Sequence, residues 1–181
     1  MFLIGPAGTG KTHIATALAM RFVHDDPEER KIILVRPAVE AEGEDLGYLP
    51  GEIGDKLGPY MAPIREEIEK LCFSTGSKPP QIEMVPIAYM RGRNFDNCVV
   101  IVDEAQNLTK GQFNLVFSRM CKNAKMVVSG DPLQSDIPDS FLERAVDSLA
   151  GLQGVVAIGF SELENVRHGI VPQVLRRFRT A

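Results

Sequence analysis

The sequence predicts an α/β protein built as a mostly parallel sheet flanked by helices. Three observations carry this. Short continuous apolar runs, too uniform for a sheet with one wet face, recur along the chain. Segments with helical spacing of apolar residues lie between them. A glycine-rich loop joins the first run to the first helix.

The elements follow in order. Met1 to Ile4 reads as a short buried strand and Lys11 to His24 as a helix. Lys31 to Arg36 is a second strand, stopped by Pro37. Ala38 to Pro63 is acidic and rich in Gly and Pro, and reads as one long loop of functional importance. A helix is expected over Pro63–Cys72, a polar turn over Ser74–Pro80 and a strand near Ile82–Ile87. Cys98 to Val102 and Lys125 to Ser129 are further strands, and Gly154 to Phe160 is a last one. Thr109 is placed to cap a helix running to about Met120, with Phe113, Val116, Phe117 and Met120 on one face. Ser140 to Leu149 repeats that pattern with Phe141, Leu142, Ala145, Val146 and Leu149.

The 181 residues, 44% of them hydrophobic, suffice for one domain with a real core, and a single domain over residues 1–181 is expected. The net charge of −4 gives no global reason to expect a nucleic-acid binder, and leaves a local basic surface open. Three widely spaced cysteines, Cys72, Cys98 and Cys121, form no C-x-x-C pair and read as reduced, largely buried thiols of a cytoplasmic protein. No apolar run approaches the ~18 residues of a membrane span. Gly5 ends the apolar start and no basic leader precedes it, so a secretory signal is not expected.

The chemistry begins at Gly5-Pro6-Ala7-Gly8-Thr9-Gly10-Lys11-Thr12, which spells G-x-x-x-x-G-K-T, the phosphate-binding P-loop. Its glycines let the backbone turn tightly with N–H groups aimed at a polyphosphate, on the positive end of the following helix. Lys11 can reach β- and γ-phosphates, and the Thr12 hydroxyl can hold Mg²⁺. The nucleotide-binding set is therefore Gly5, Pro6, Ala7, Gly8, Thr9, Gly10, Lys11, Thr12 and His13. No pair among His13, His24 and His168 has zinc spacing, and their side chains read as structural or surface groups.

Val99 to Val102 ends in Asp103-Glu104. A buried strand would fix Asp103 beside the P-loop, where it can hold Mg²⁺ through water, and Glu104 points elsewhere and can polarise an attacking water. An ordinary acidic turn after a strand is the bland alternative. Gln134, in Gly130-Asp131-Pro132-Leu133-Gln134 after the next strand, suits a γ-phosphate sensor; a simple Gly-Asp-Pro turn is its alternative. An arginine would stabilise charge on the γ-phosphate oxygens. Arg36, Arg91, Arg93 and Arg167 are the candidates, and the sequence does not choose among them; Arg167, after the last strand, joins Lys11, Glu104 and Gln134 in the candidate catalytic set. The basic tail Arg176-Arg177-Phe178-Arg179 reads as a solvated helix end.

The stretches GPAGTGKT, VRPAVEAEGEDLGYLPGE, AYMRGR, IVDEAQN, GDPLQSDIP and ENVRHGIV together resemble the PhoH-like ATPases over nearly the whole chain. The resemblance implies a P-loop NTPase with the RecA/helicase-like strand order of the first motor domain of superfamily 1 helicases. It implies ATP at Gly5–Thr12, Mg²⁺ near Thr12 and Asp103, Glu104 as base and Gln134 as sensor. It also implies a cytoplasmic homo-oligomer, often a hexamer, with RNA or single-stranded DNA as a possible partner. The acidic stretch is one residue longer than the family pattern, Gly169 stands where a Pro is usual, and the family's upstream segment, which would help hold the adenine base, is absent ahead of Gly5. A nucleotide-dependent switch with little hydrolysis is the alternative from a different class. A P-loop small-molecule kinase fits less well, because Glu104 after Asp103 favours water as the nucleophile.

Overall fold

The computed structural model describes residues 1–25, 31–37 and 53–171, with 173, 174 and 177. Six strands, β1 (Phe2–Ile4), β2 (Lys31–Val35), β3 (Ile82–Met84), β4 (Cys98–Val102), β5 (Lys125–Gly130) and β6 (Ala157–Gly159), form one sheet in the order β3-β2-β4-β5-β1-β6. Every neighbouring pair is parallel. The four helices described are α1 (Lys11–His24), α2 (Ile53–Thr75), α3 (Lys110–Phe117) and α4 (Leu142–Leu149).

The apolar strand runs are buried on both faces because helices cover both. Successive residues alternate between two cores. Phe2, Ile33, Val35, Val100, Val102 and Val128 pack with Phe113 and Val116 of α3 and Leu142 and Ala145 of α4. Leu3, Ile32, Leu34, Val99, Ile101 and Val127 pack with Ala15 and Ala19 of α1 and Ile64 and Ile68 of α2. Each fully buried aliphatic side chain contributes about 1.5–3 kcal/mol, so these two layers dominate what holds the sheet.

Several boundaries differ from expectation. The helix expected over Pro63–Cys72 begins at Ile53 and runs to Thr75. Gly54, Gly58 and Pro59 weigh against helix on propensity, but the segment is anchored through Ile64 and Ile68, one turn apart and both 1% exposed. Of the stretch expected as loop over Ala38–Pro63, the part from Ile53 onward is helix, and residues 38–52 lie outside those described. Most of the basic tail lies outside them too. Helix α3 stops at Phe117 because Phe95 claims the next turn: it bridges to Met120, and its carbonyl accepts the Cys121 N–H at 2.8 Å. The capping box at Thr109 is present, with Gln112 as its partner. Strand β3 ends at Met84, and β6 is shorter than the expected Gly154–Phe160.

The β3 edge is pinned by charge. Lys31 Nζ donates to Glu83 Oε2 at 2.7 Å, and Arg93 donates to the other oxygen. Burial alone would raise the Glu83 carboxyl, but the two hydrogen bonds outweigh it and hold it below 4.5. A depressed carboxylate contributes stability above its unfolded value and loses it as pH falls through the folded one. Glu83→Gln is therefore expected to lower Tm by about 2–4 °C at pH 7. That corresponds to about 1 kcal/mol after discounting for solvent screening. The gap between the two proteins closes as pH drops below the folded value, which a melting series from pH 7 to 3 checks.

Candidate functional site

Strand order brings three loops together. β5 lies between β1 and β4, so the loop after β1, the acids after β4 and the turn after β5 emerge side by side at the carboxyl edge of the sheet. They line a cleft of about 280 Å³ that includes Lys11, Thr12, Asp103, Glu104, Gln134 and Arg167. A larger and mostly apolar cavity of about 500 Å³ lies between the far ends of α1 and α2, near Met20, Leu71 and Pro80. The smaller cleft is where the chemistry converges.

The P-loop runs from Gly5, whose N–H donates to Gly130 at 3.2 Å, into α1. No side chain caps that helix and its first turn carries no acid, so its leading N–H groups are left for a ligand. Lys11 Nζ folds back onto the loop, donating to the carbonyls of Gly5 at 2.7 Å and Pro6 at 2.8 Å. Burial lowers its pKa from 10.5, partly offset by Asp131, Glu104 and Asp103. Gly8 must be glycine: its φ is +84°, and a Cβ there would stand 2.9 Å from Arg167 Cδ and Asn165 Nδ2.

Asp103 is 6% exposed at the end of β4. Its Oδ1 accepts the buried Ser129 hydroxyl at 2.7 Å and the Thr12 hydroxyl at 3.4 Å. Glu104 follows in the left-handed region, φ 55° and ψ 41°. That conformation costs a non-glycine residue on the order of 1–3 kcal/mol and persists only where neighbours hold it. Here they do: Arg36 Nη2 lies 3.6 Å from Oε1, and Gln106 Nε2 donates to Oε2 at 2.6 Å.

The other arginines part company. Arg167 crosses Gly8 at the cleft. Arg36 faces Glu104. Arg93 is committed to Glu83 at the β3 edge, and Arg91 is exposed in a separate depression with Thr109 and Gln112. The His13 side chain is exposed and pairs with Glu67 of α2. Cys98 is buried and Cys72 half-buried, but Cys121 is exposed, which corrects the expectation of largely buried thiols. It follows α3 on the outer turn bridged to Phe95.

Four polar residues that the sequence did not single out brace the cleft and the loops around it. Asp131 Oδ2 accepts the Ala7 N–H at 3.1 Å and its Oδ1 accepts the Leu133 N–H at 3.0 Å, tying the P-loop to the turn after β5. Asn165 Nδ2 donates to the Ala7 carbonyl at 2.9 Å, while Val166 N–H donates to Gly8. Ser129 orients Asp103, and Gln106 orients Glu104. Asp131 had a visible signal, an acid before Pro132 at the end of a buried strand. Asn165 had none, because its partner lies 158 residues away.

A parallel sheet with a phosphate-type loop after β1 and an acid pair two strands away defines a P-loop NTPase fold. The chain belongs to the PhoH-like protein family, whose pattern it matches over residues 1–179. It is 38% identical over 185 residues to a PhoH-like protein of Bacillus subtilis, covering 98% of this chain and 57% of that one. It is 40% identical over 186 residues to one from Synechocystis, covering 98% and 56%. Protein PhoH of Escherichia coli is 34% identical over 188 residues, covering 98% and 52%. The chain thus spans little more than half the length of these relatives. Among solved structures, the large terminase of a thermophilic bacteriophage superposes with a TM-score of 0.62 at 12% identity, over 99% of this chain and 44% of that one. At that identity the likeness is one of fold. Among the described residues no helix is long and apolar enough to cross a membrane.

Proposed function

We propose that this chain binds ATP with Mg²⁺ and hydrolyses it to ADP and phosphate. The observation that carries the reading is the meeting of Thr12 and Asp103 at 3.4 Å beside the Lys11 loop. A hydroxyl and a carboxylate oxygen are the hard donors Mg²⁺ prefers. Among the described residues no group of three His, Cys, Asp or Glu side chains is placed to hold a metal alone. When bound, Mg²⁺ neutralises charge on the β- and γ-phosphate oxygens.

The chain's own groups do the rest. Lys11 exchanges the Gly5 and Pro6 carbonyls for phosphate oxygens. The backbone N–H groups from Gly8 to His13 cradle the polyphosphate. Water attacks the γ-phosphorus, its proton passes to Glu104, and the bond to the β-phosphate oxygen breaks with ADP leaving. Gln134 orients the water and the γ-phosphate, and Arg167 stabilises charge on the transferring group. Glu104 must first loosen from Arg36 to take a proton, which favours a slow basal rate and keeps the nucleotide switch as a second reading.

We further propose one domain working in an oligomeric cytoplasmic ring, coupled to remodelling of RNA or single-stranded DNA. Support comes from the family membership. An ATPase assay across a protein concentration series, with and without RNA and single-stranded DNA, alongside a mass measurement, tests this. Turnover per chain is expected to rise steeply as the assembly forms, and RNA to stimulate it. Flat specific activity and indifference to both polymers would remove the ring motor and leave the switch.

A further inference from the structure

Gln106 is 2% exposed, polar, and sits at the crossing of every catalytic loop. Its Oε1 accepts the backbone N–H of Asp131 at 3.1 Å. A backbone N–H can only donate, so the orientation of the amide is settled and Nε2 must face the other way. Nε2 donates to Glu104 Oε2 at 2.6 Å and approaches the Gln134 carbonyl at 3.3 Å. Asp131 in turn holds the Ala7 N–H of the P-loop. One buried side chain therefore joins the candidate base, the sensor turn and, through Asp131, the phosphate loop. Gly130 leaves space for it: a Cβ there would stand 2.8 Å from Gln106 Oε1 and 2.6 Å from Leu142 Cδ2.

We propose that Gln106 is the positioning residue that fixes the Glu104 carboxylate relative to the sensor turn, and so sets the rate of water activation. The inference rests on the hydrolysis reading above. Gln106 lies behind Glu104, away from the lining of the cleft. It acts through Glu104, whose strained backbone needs an external hold. A misplacement of about 1 Å in such a group costs on the order of 100-fold in rate.

The test pairs Gln106→Met, which keeps length and loses all three side-chain hydrogen bonds, with Glu104→Gln. Steady-state ATP turnover is expected to fall about 10- to 100-fold in Gln106→Met, with KM for ATP within about threefold. In a Glu104→Gln background the same change should lower the residual single-turnover rate less than about twofold, because the group it positions is already gone. Equal losses in both backgrounds would mean a structural role and overturn the proposal. If Gln106→Met does not fold, Gln106→Glu keeps an acceptor for the Asp131 N–H and removes the donor to Glu104; the same loss of kcat is expected. Full-speed turnover in the folded Gln106 variant, with Glu104→Gln inactive, overturns this proposal alone. Parental turnover in Glu104→Gln overturns it together with the role of Glu104 as base, and absence of turnover in the parent protein overturns the hydrolysis reading itself.

Discussion

Glu104→Gln is expected to reduce ATP turnover by about 10³-fold while nucleotide affinity stays within about threefold of the parent. The amide is nearly isosteric, and it can still accept the Gln106 Nε2 hydrogen bond on its oxygen, so the left-handed turn is retained. What disappears is the ability to take a proton from water. The charge pairing with Arg36 also goes. Binding of a fluorescent ADP analogue and release of phosphate, measured on one preparation, separate the two effects. Unaltered phosphate release would show that proton transfer runs elsewhere. Lost binding would show that Glu104 is a structural prop of the cleft.

Lys11→Ala acts on the other half of the problem and should weaken ATP binding about 10- to 100-fold, the worth of one charged hydrogen bond to a phosphate. The parent lysine adds a pH signature. Burial has lowered its pKa from 10.5, so the amine loses its charge earlier than a free lysine as pH rises. ATP affinity should decline through that window, and Lys11→Ala should show no such decline. Stability of the nucleotide-free protein moves the other way. Within the window the unfolded chain binds more protons than the folded one, so stability increases with pH there. Calorimetric titration with ATP and melting without it, both between pH 7 and 10, check the opposite slopes. Parallel slopes would mean that Lys11 is not the group being titrated.

The sheet was legible because its central strands β2, β4 and β5 are largely buried on both faces and so read as near-continuous apolar runs. Val99 to Val102 could hardly be anything else, and a strand of that kind implies helices on either side. The P-loop was legible because its glycines and lysine answer a ligand's geometry within eight consecutive residues. Helix α2 was misjudged at its start, because Gly54, Gly58 and Pro59 speak against a helix that contacts elsewhere in the chain sustain. The missing parts of the site share one property: their roles come from partners remote in sequence. Gln106 belongs to the Asp131 amide and Asn165 to the Ala7 carbonyl, and neither pairing leaves a local pattern. Arg93 shows the converse. It sits beside Arg91 in an inviting motif, yet it is spent on Glu83.

The sheet order also bears on how the molecule is made. Phe2 of β1 pairs with Val128 on one side and Ala157 on the other, so the strand that carries the P-loop finds both neighbours only after those residues have been made. The carbonyls of Ala7 and Gly8 wait longer still, for Asn165 and Val166. A ribosome holding a nascent chain cut short before those residues would present the GKT stretch unsupported. A ligand that needs the closed site stabilises only a chain that has already folded around it.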